Sequence, residues 1–537
     1  MKRLFYNGKF YLQRDSFAEA VLCQGDRIAC IGSTQELKAL SFDEAVDLKG
    51  KTVLPGLNDS HCHISGIGAT YVQVDLTKCR SIREIIEVCK EFIAENPELS
   101  KYGLRSMGWN QDLFTEGQRR LLTKYDVDQI STDIPISLQR VCGHLSAVNS
   151  KLLELAKVDG QTLPPTGGTI EKGEDGEPNG ILTENSIHWI ESFLPPYSDE
   201  IKEESIAKAL LYAQSLGLTS VQANDVGGPN TYGDMRILRK IYEEGKVGIR
   251  FRHQICFDEP DEMDVFMQGE GKEPVYTEGR LFLGPVKMFK DGSLGGYTAL
   301  MREGYKSDPH NKGVPVTDYP SQKAFVQEAA DRGWQVVTHA IGDRAIEETL
   351  DAYESSFSEE GNVLRHGLVH CQITDGALLK RIARLDVPVF YQPIFLNYDL
   401  HIAEDRVGAE LAASSYAFKT AEDLGIHVSY GTDAPVESLN PFPNIYSAVT
   451  RCDLSGYPEG GYVPEEKVSL EQAIDAYTIG SAYCEFQEEV KGRIKEGYLA
   501  DFTVLDRDIF SVDAREIKDI KASMTIVGGE IVFEATT

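Results

Sequence analysis

The chain has 537 residues, room for several domains' worth of core, so it is no small disulfide-stapled scaffold. Its 54 Lys and Arg stand against 84 Asp and Glu, a formal net charge of −30, which argues against nucleic acid or an anionic membrane as partner. The ten cysteines are scattered with no C-x-x-C pair, no apolar leader follows Met1-Lys2-Arg3, and no uncharged run is apolar enough to span a bilayer; a reducing, cytoplasmic setting is expected.

Taken in chain order, residues 1–55 read as β structure: Leu4–Tyr6, Lys9–Tyr11, Ala20–Cys23 and Arg27–Ile31, separated by Asn-Gly, Gly-Asp and Gly-Ser turns. Apolar runs then recur at Val53–Leu57, Thr219–Gln222, Ile249–Phe257, Pro285–Phe289, Trp334–Thr338, Gly367–Val369, Val387–Tyr391 and Ile426–Tyr430. Helical patterns over Ser321–Asp331, Asp343–Tyr353 and Ala377–Leu385 fall in the later gaps. Eight strands alternating with helices predict an α/β fold, a (β/α)8 barrel of the TIM type, over residues 56–485. About 75–215 is excess chain. It carries helical stretches (Ile82–Ile93, Glu203–Gln214), a strand (Ile134–Val141) and a hairpin-like segment (Leu163–Gly180), and it predicts an insertion subdomain capping the barrel mouth. The last stretch, 486–537, returns to strands at Phe502–Leu505 and Met524–Val527, with Gly528-Gly529 as a hairpin turn. The two β-rich ends together predict one small β-sandwich domain.

The chemistry gathers at the predicted strand ends. In His61-Cys62-His63 the two imidazoles alternate to one side of an extended chain, where both can reach one metal; alone, the pair could equally be two satisfied polar residues. His339 ends the fifth run, His370 the sixth, and Asp433 follows the eighth, while Lys287 lies within the fourth. A barrel brings these ends to one face. Imidazole and carboxylate suit Zn²⁺ and related divalent ions. An ammonium does not, unless the Lys287 amine reacts with CO2 and becomes a carbamate that can bridge two metals.

The segment Pro55-Gly56-Leu57-Asn58-Asp59-Ser60-His61-Cys62-His63 resembles the first-strand signature of the amidohydrolase superfamily. Gly284–Lys287 with Asp291–Leu294, His339–Ala345, Arg365–His370, Gln392-Pro393, Gly431–Pro435 and Gly492–Phe502 resemble its YtcJ-like branch, amidohydrolase family 3. The resemblance implies one or two divalent ions, zinc first. His61, His63 and Asp433 would hold the first, and carboxylated Lys287 would bridge to a second on His339 and His370. It implies hydrolysis of a C–N amide-type bond in an N-acyl or N-formyl small molecule. A bound water's pKa falls from 15.7 toward ~7, and Asp433 moves the proton. It also implies a homodimer. Deaminase or lactonase chemistry at the same site, or a regulatory protein without turnover, are the alternatives. His144 and Trp109 are candidate substrate contacts, with Glu184 a weaker one; a structural histidine and plain core packing are the competing readings of the first two. His366 is read as a packed histidine lower in the barrel, and Lys290 as facing away from Lys287. No phosphate-binding G-x-x-x-x-G-K-[ST] and no G-x-S-x-G elbow occurs.

Overall fold

The computed structural model describes residues 1–536 apart from 116, 118, 141–144, 166–167, 227–230, 258 and 270–278. The chain divides into two compact units, Met1–Gly66 with Ala207–Thr537, and Ile67–Ile206.

Eight strands of the first unit follow one another in parallel: Leu57–Cys62, Leu218–Val226, Arg250–Ile255, Leu281–Phe289, Val336–Ala340, Gly367–His370, Val389–Tyr391 and Val428–Tyr430. The seam between eighth and first strands is closed by backbone. Asp433 N–H donates to His61 O (2.8 Å), and His63 N–H donates to Ala434 O (2.7 Å). Gly431 permits that approach, since a Cβ there would sit 2.5 Å from the His61 nitrogen. The seam is thus built from the same residues that carry the predicted chemistry. Helices such as Tyr319–Asp331, Asp343–Ser356 and Gly376–Arg384 connect later strands. The last is well specified at both ends: the Asp375 side chain caps the Ala377 and Leu378 N–H groups, and Arg381 and Arg384 meet the C-terminal dipole.

Both chain ends join in the small β structure. One sheet runs Arg27–Gly32, Ala20–Gln24, Lys2–Tyr6, Glu44–Asp47; the other runs Glu530–Glu534, Ala522–Val527, Phe502–Leu505, Thr52–Pro55, Lys9–Gln13, Ser16–Ala18. Neither end closes a core alone. Phe502 from the C-terminal part meets Phe5 and Phe10 from the N-terminal part edge-on, at 6.0 and 5.9 Å between ring centres. Gly528 and Gly529 both have positive φ, as a tight two-residue hairpin requires.

One expectation is corrected. The run Val53–Leu57 is not one strand: Thr52–Pro55 pairs with Phe502–Val504 in the small sheet, and the barrel strand starts at Leu57. The chain crosses between the two at Gly56, where a Cβ would lie 2.2 Å from Thr219 Oγ1.

The second unit lies in sequence between the first and second barrel strands. Its six-stranded sheet runs Gly168–Lys172, Pro178–Glu184, Leu145–Val148, Ile136–Arg140, Leu104–Trp109, Val74–Asp75. The helix Ile82–Glu95, capped by Ser81, contributes Ile85 and Cys89 to its core.

Candidate metal centre

His61 and His63 alternate across the end of the first strand, with Cys62 between them turned toward Gln222 O (3.9 Å). Asp433 faces both: its Oδ1 lies 3.2 Å from His61 Nε2 and 3.1 Å from His63 Nε2. The ligand atoms of these three residues all lie within 4.8 Å of one another. The other two histidines adjoin them. The His370 ring is 5.7 Å from His61 and 4.4 Å from His339, centre to centre. His370 and Asp433 have left-handed backbones, φ +75° and +56°. Such conformations cost on the order of 1–3 kcal/mol and collect at functional sites.

The hydrogen bonds fix which ring nitrogen faces inward. Gln254 Nε2 must donate to the Ser60 carbonyl (2.9 Å), so its Oε1 accepts, and His61 Nδ1–H donates to it (2.6 Å). His61 Nε2 is therefore a lone pair. Gln392 works the same way: its Nε2 donates to Phe390 O (2.9 Å), and its Oε1 accepts from His370 Nδ1–H (2.7 Å). His63 Nδ1–H donates to Asn224 O (2.7 Å). In His339 the pattern inverts, with Nε2–H donating to Gly292 O (3.0 Å) and Nδ1 left as the donor atom. Lone pairs of His61 and His63 thus face a carboxylate at about 3 Å, an arrangement that calls for a cation between them. The residues present fit a divalent metal.

Charge agrees. Burial pushes His61 down to about 4 and His339 to about 3, and His370 well below the usual range, so these rings are neutral near pH 7. Burial would also depress His63, but Asp433 outweighs it and raises that ring. Burial opposes charge on Asp433, but its interactions with His61, His63 and His370 outweigh it and hold the carboxyl well below the usual range.

Lys287 is buried on the fourth strand. Its Nζ lies 3.4 Å from Met288 O and 3.6 Å over the Phe289 ring, and that ring packs 5.6 Å from His339. Among the described residues no carboxylate reaches it at ion-pair distance. Burial pushes the amine down to about 8. Lys290 faces the other way, paired with Glu348 (2.7 Å), and His366 is packed below, its Nδ1 accepting from Val336 N–H (2.9 Å).

Trp109 is no pocket wall. It is wholly buried in the core of the Ile67–Ile206 unit, with Nε1–H donating to Leu138 O (2.8 Å). His144 and the Glu184 side chain lie outside the described residues.

The amidohydrolase family model matches residues 44–533. The chain belongs to the amidohydrolase family. "Putative amidohydrolase YtcJ" of Bacillus subtilis (strain 168) is 34% identical over 99% of this chain and 100% of its own length. An N-substituted formamide deformylase of Arthrobacter pascens is 26% identical over 97% of this chain and 96% of its own. The crystal structure of an uncharacterized metal-dependent hydrolase from Pyrococcus horikoshii OT3 superposes with TM-score 0.81 at 26% identity, covering 96% of this chain and 99% of that one. The protein is accordingly a hydrolase of this superfamily.

In this amidohydrolase, Gln254, Gln392 and Asn224 set the ligand tautomers. Replacing Gln392 by Leu is expected to weaken binding of a divalent ion about 10–100-fold, read by chelator competition, while Gln392→Glu, which keeps the acceptor, holds affinity. Equal affinity of wild type and Gln392→Leu would remove that role.

Proposed function

We propose that the protein is a cytoplasmic, metal-dependent amidohydrolase that hydrolyses a C–N amide-type bond in a small N-acyl or N-formyl compound. The observation that supports this reading is the pair of His61 and His63 nitrogens about 3 Å from the Asp433 carboxylate, with the His370 and His339 rings adjoining. His61, His63 and Asp433 would hold one divalent ion, with zinc the best match to nitrogen and carboxylate donors; His339 and His370 would hold a second. A bound ion supplies Lewis acidity toward the carbonyl oxygen and acidifies its water.

The chain supplies the rest. The Asp433 carboxylate, kept ionised by its surroundings, accepts the proton of the attacking water at a carboxylate oxygen and delivers it to the leaving nitrogen. The glutamine-held imidazoles stay neutral and fixed, so no ring reorganises during the reaction. Lys287 would carry the carbamate: its ammonium first loses one proton to solvent, the lone pair of the neutral amine adds to CO2, and a second proton leaves the nitrogen, so that a misplaced cation becomes an anion suited to the second ion. The N-substituted formamide deformylase of Arthrobacter pascens, 26% identical to this chain, favours an N-formyl or related amide.

The test is metal analysis of the purified chain with a screen of N-formyl, N-acetyl and aminoacyl amides against lactones. The reading expects one to two divalent ions per chain and turnover of an amide. A folded chain that takes up no metal, or one that turns over lactones alone, defeats it.

A further inference from the structure

An acid-rich chain rarely leaves a guanidinium unclaimed. Arg302, Arg332, Arg365 and Arg381 each hold at least one carboxylate at 2.6–2.9 Å. Arg406, on the short helix Ala403–Val407, does not. Among the described residues its guanidinium has no hydrogen bond and no carboxylate at ion-pair distance, and its Nε is buried without a partner. One face is covered: the guanidinium carbon sits 3.9 Å over the Tyr297 ring. Asp399, the acid within electrostatic reach, has its Oδ2 taken by Gln372 Nε2 and Tyr416 OH, both at 2.8 Å.

The position is on the catalytic face. Tyr297 lies within the segment after the fourth strand, whose Gly292 carbonyl holds His339, and it sits in a left-handed backbone (φ +57°) that a bulky residue rarely adopts. Arg406 lies within the segment after the seventh strand, which begins with Gln392 and carries Phe395, stacked 5.6 Å from the His370 ring. The two segments meet: a Cβ on Gly295 would lie 3.7 Å from Tyr398 and 3.8 Å from Ile402. A flat cation desolvated on one side by an aromatic ring, with its N–H groups uncommitted, matches a carboxylate, which it can grip with two parallel hydrogen bonds.

We propose that Arg406, seated on Tyr297, binds a carboxylate carried by the substrate, so that the amides hydrolysed are anionic N-acyl or N-formyl derivatives of amino acids. This rests on the amidohydrolase reading above and narrows its substrate class.

The experiment uses the metal-loaded full chain and matched probes, N-formyl and N-acetyl amino acids against their neutral carboxamides. Wild type is expected to favour the acid over the carboxamide by at least about tenfold in kcat/KM, the scale of a charge-assisted hydrogen bond. Arg406→Met is expected to raise KM for the acid by about tenfold or more and for the carboxamide, which can accept only a neutral hydrogen bond there, several-fold less. Arg406→Lys keeps the charge over Tyr297 but loses the fork, and falls between. Equal use of acid and carboxamide by wild type overturns the proposal. So does an equal loss on both probes in Arg406→Met and Arg406→Lys, which would make the residue a mere loop staple. Calorimetric binding separates this from the parent reading. If nothing is hydrolysed yet the acids bind in an Arg406-dependent way, the anion site stands and the amidohydrolase reading falls. Amide turnover without acid preference leaves that reading intact and ends this one.

Discussion

Asp433→Asn is expected to lower kcat by about 10³-fold or more, with fold and solubility retained. General acid–base transfer is worth about 10²–10⁴, and a carboxylate donor to the metal is lost as well. Asparagine isolates that chemistry. Asp433 has φ +56°, and Asn is the other residue that takes a left-handed backbone at little cost, whereas Ala there would add strain. The neighbouring geometry is backbone-held, since Asp433 N–H still reaches His61 O and Ala434 O still accepts from His63. The measurement is steady-state hydrolysis of the best amide from the screen, beside metal content and circular dichroism. A variant within about tenfold of wild type would remove Asp433 from the proton path and shift that role to another group.

Much of this site is legible before any coordinates. A strand's period of two places His61 and His63 on one side. Convergence of barrel strand ends gathers His339, His370 and Asp433, although each sits far from the others in sequence. What is not legible follows from residue chemistry. Gln254 fixes which His61 nitrogen faces the candidate metal centre, yet an isolated glutamine in a strand resembles any half-buried polar residue; Gln392, just past the seventh strand, shows in the sequence as the Gln392-Pro393 pair without its hydrogen-bond role. The available signal is a partial alternation: Arg250, Arg252 and Gln254 are polar at every second position, and the other face carries Phe251 and Ile255 but also His253. The Val53–Leu57 run misleads because hydrophobicity continues across Gly56, where the chain leaves one sheet for another. Trp109 misleads because an aromatic beside a polar motif reads alike in a pocket wall and in a core; its indole N–H is satisfied by a neighbouring strand's carbonyl, so it needs no cavity.

Lys287→Ala is expected to lose at least about 10²-fold in kcat/KM and to regain part of it with millimolar formate, acetate or propionate. A buried ammonium without a carboxylate costs several kcal/mol unless it changes state. Lys287 is such a group: among the described residues its Nζ meets Met288 O and the Phe289 ring and no carboxylate at ion-pair distance. Burial brings its amine down to about 8, which leaves roughly one molecule in ten unprotonated at pH 7 and able to add to CO2. A carbamate formed there would supply the anion for an ion held by His339 and His370. Alanine removes that anion and opens a slot, and a small carboxylate entering the slot restores the charge. Rescue should fall as the acid outgrows the space left by the lysine stem, which an ordinary structural lysine would not produce. Loss without rescue by any of the acids, together with unchanged metal content, would make Lys287 a packing residue and confine the chemistry to the His61–His63–Asp433 ion.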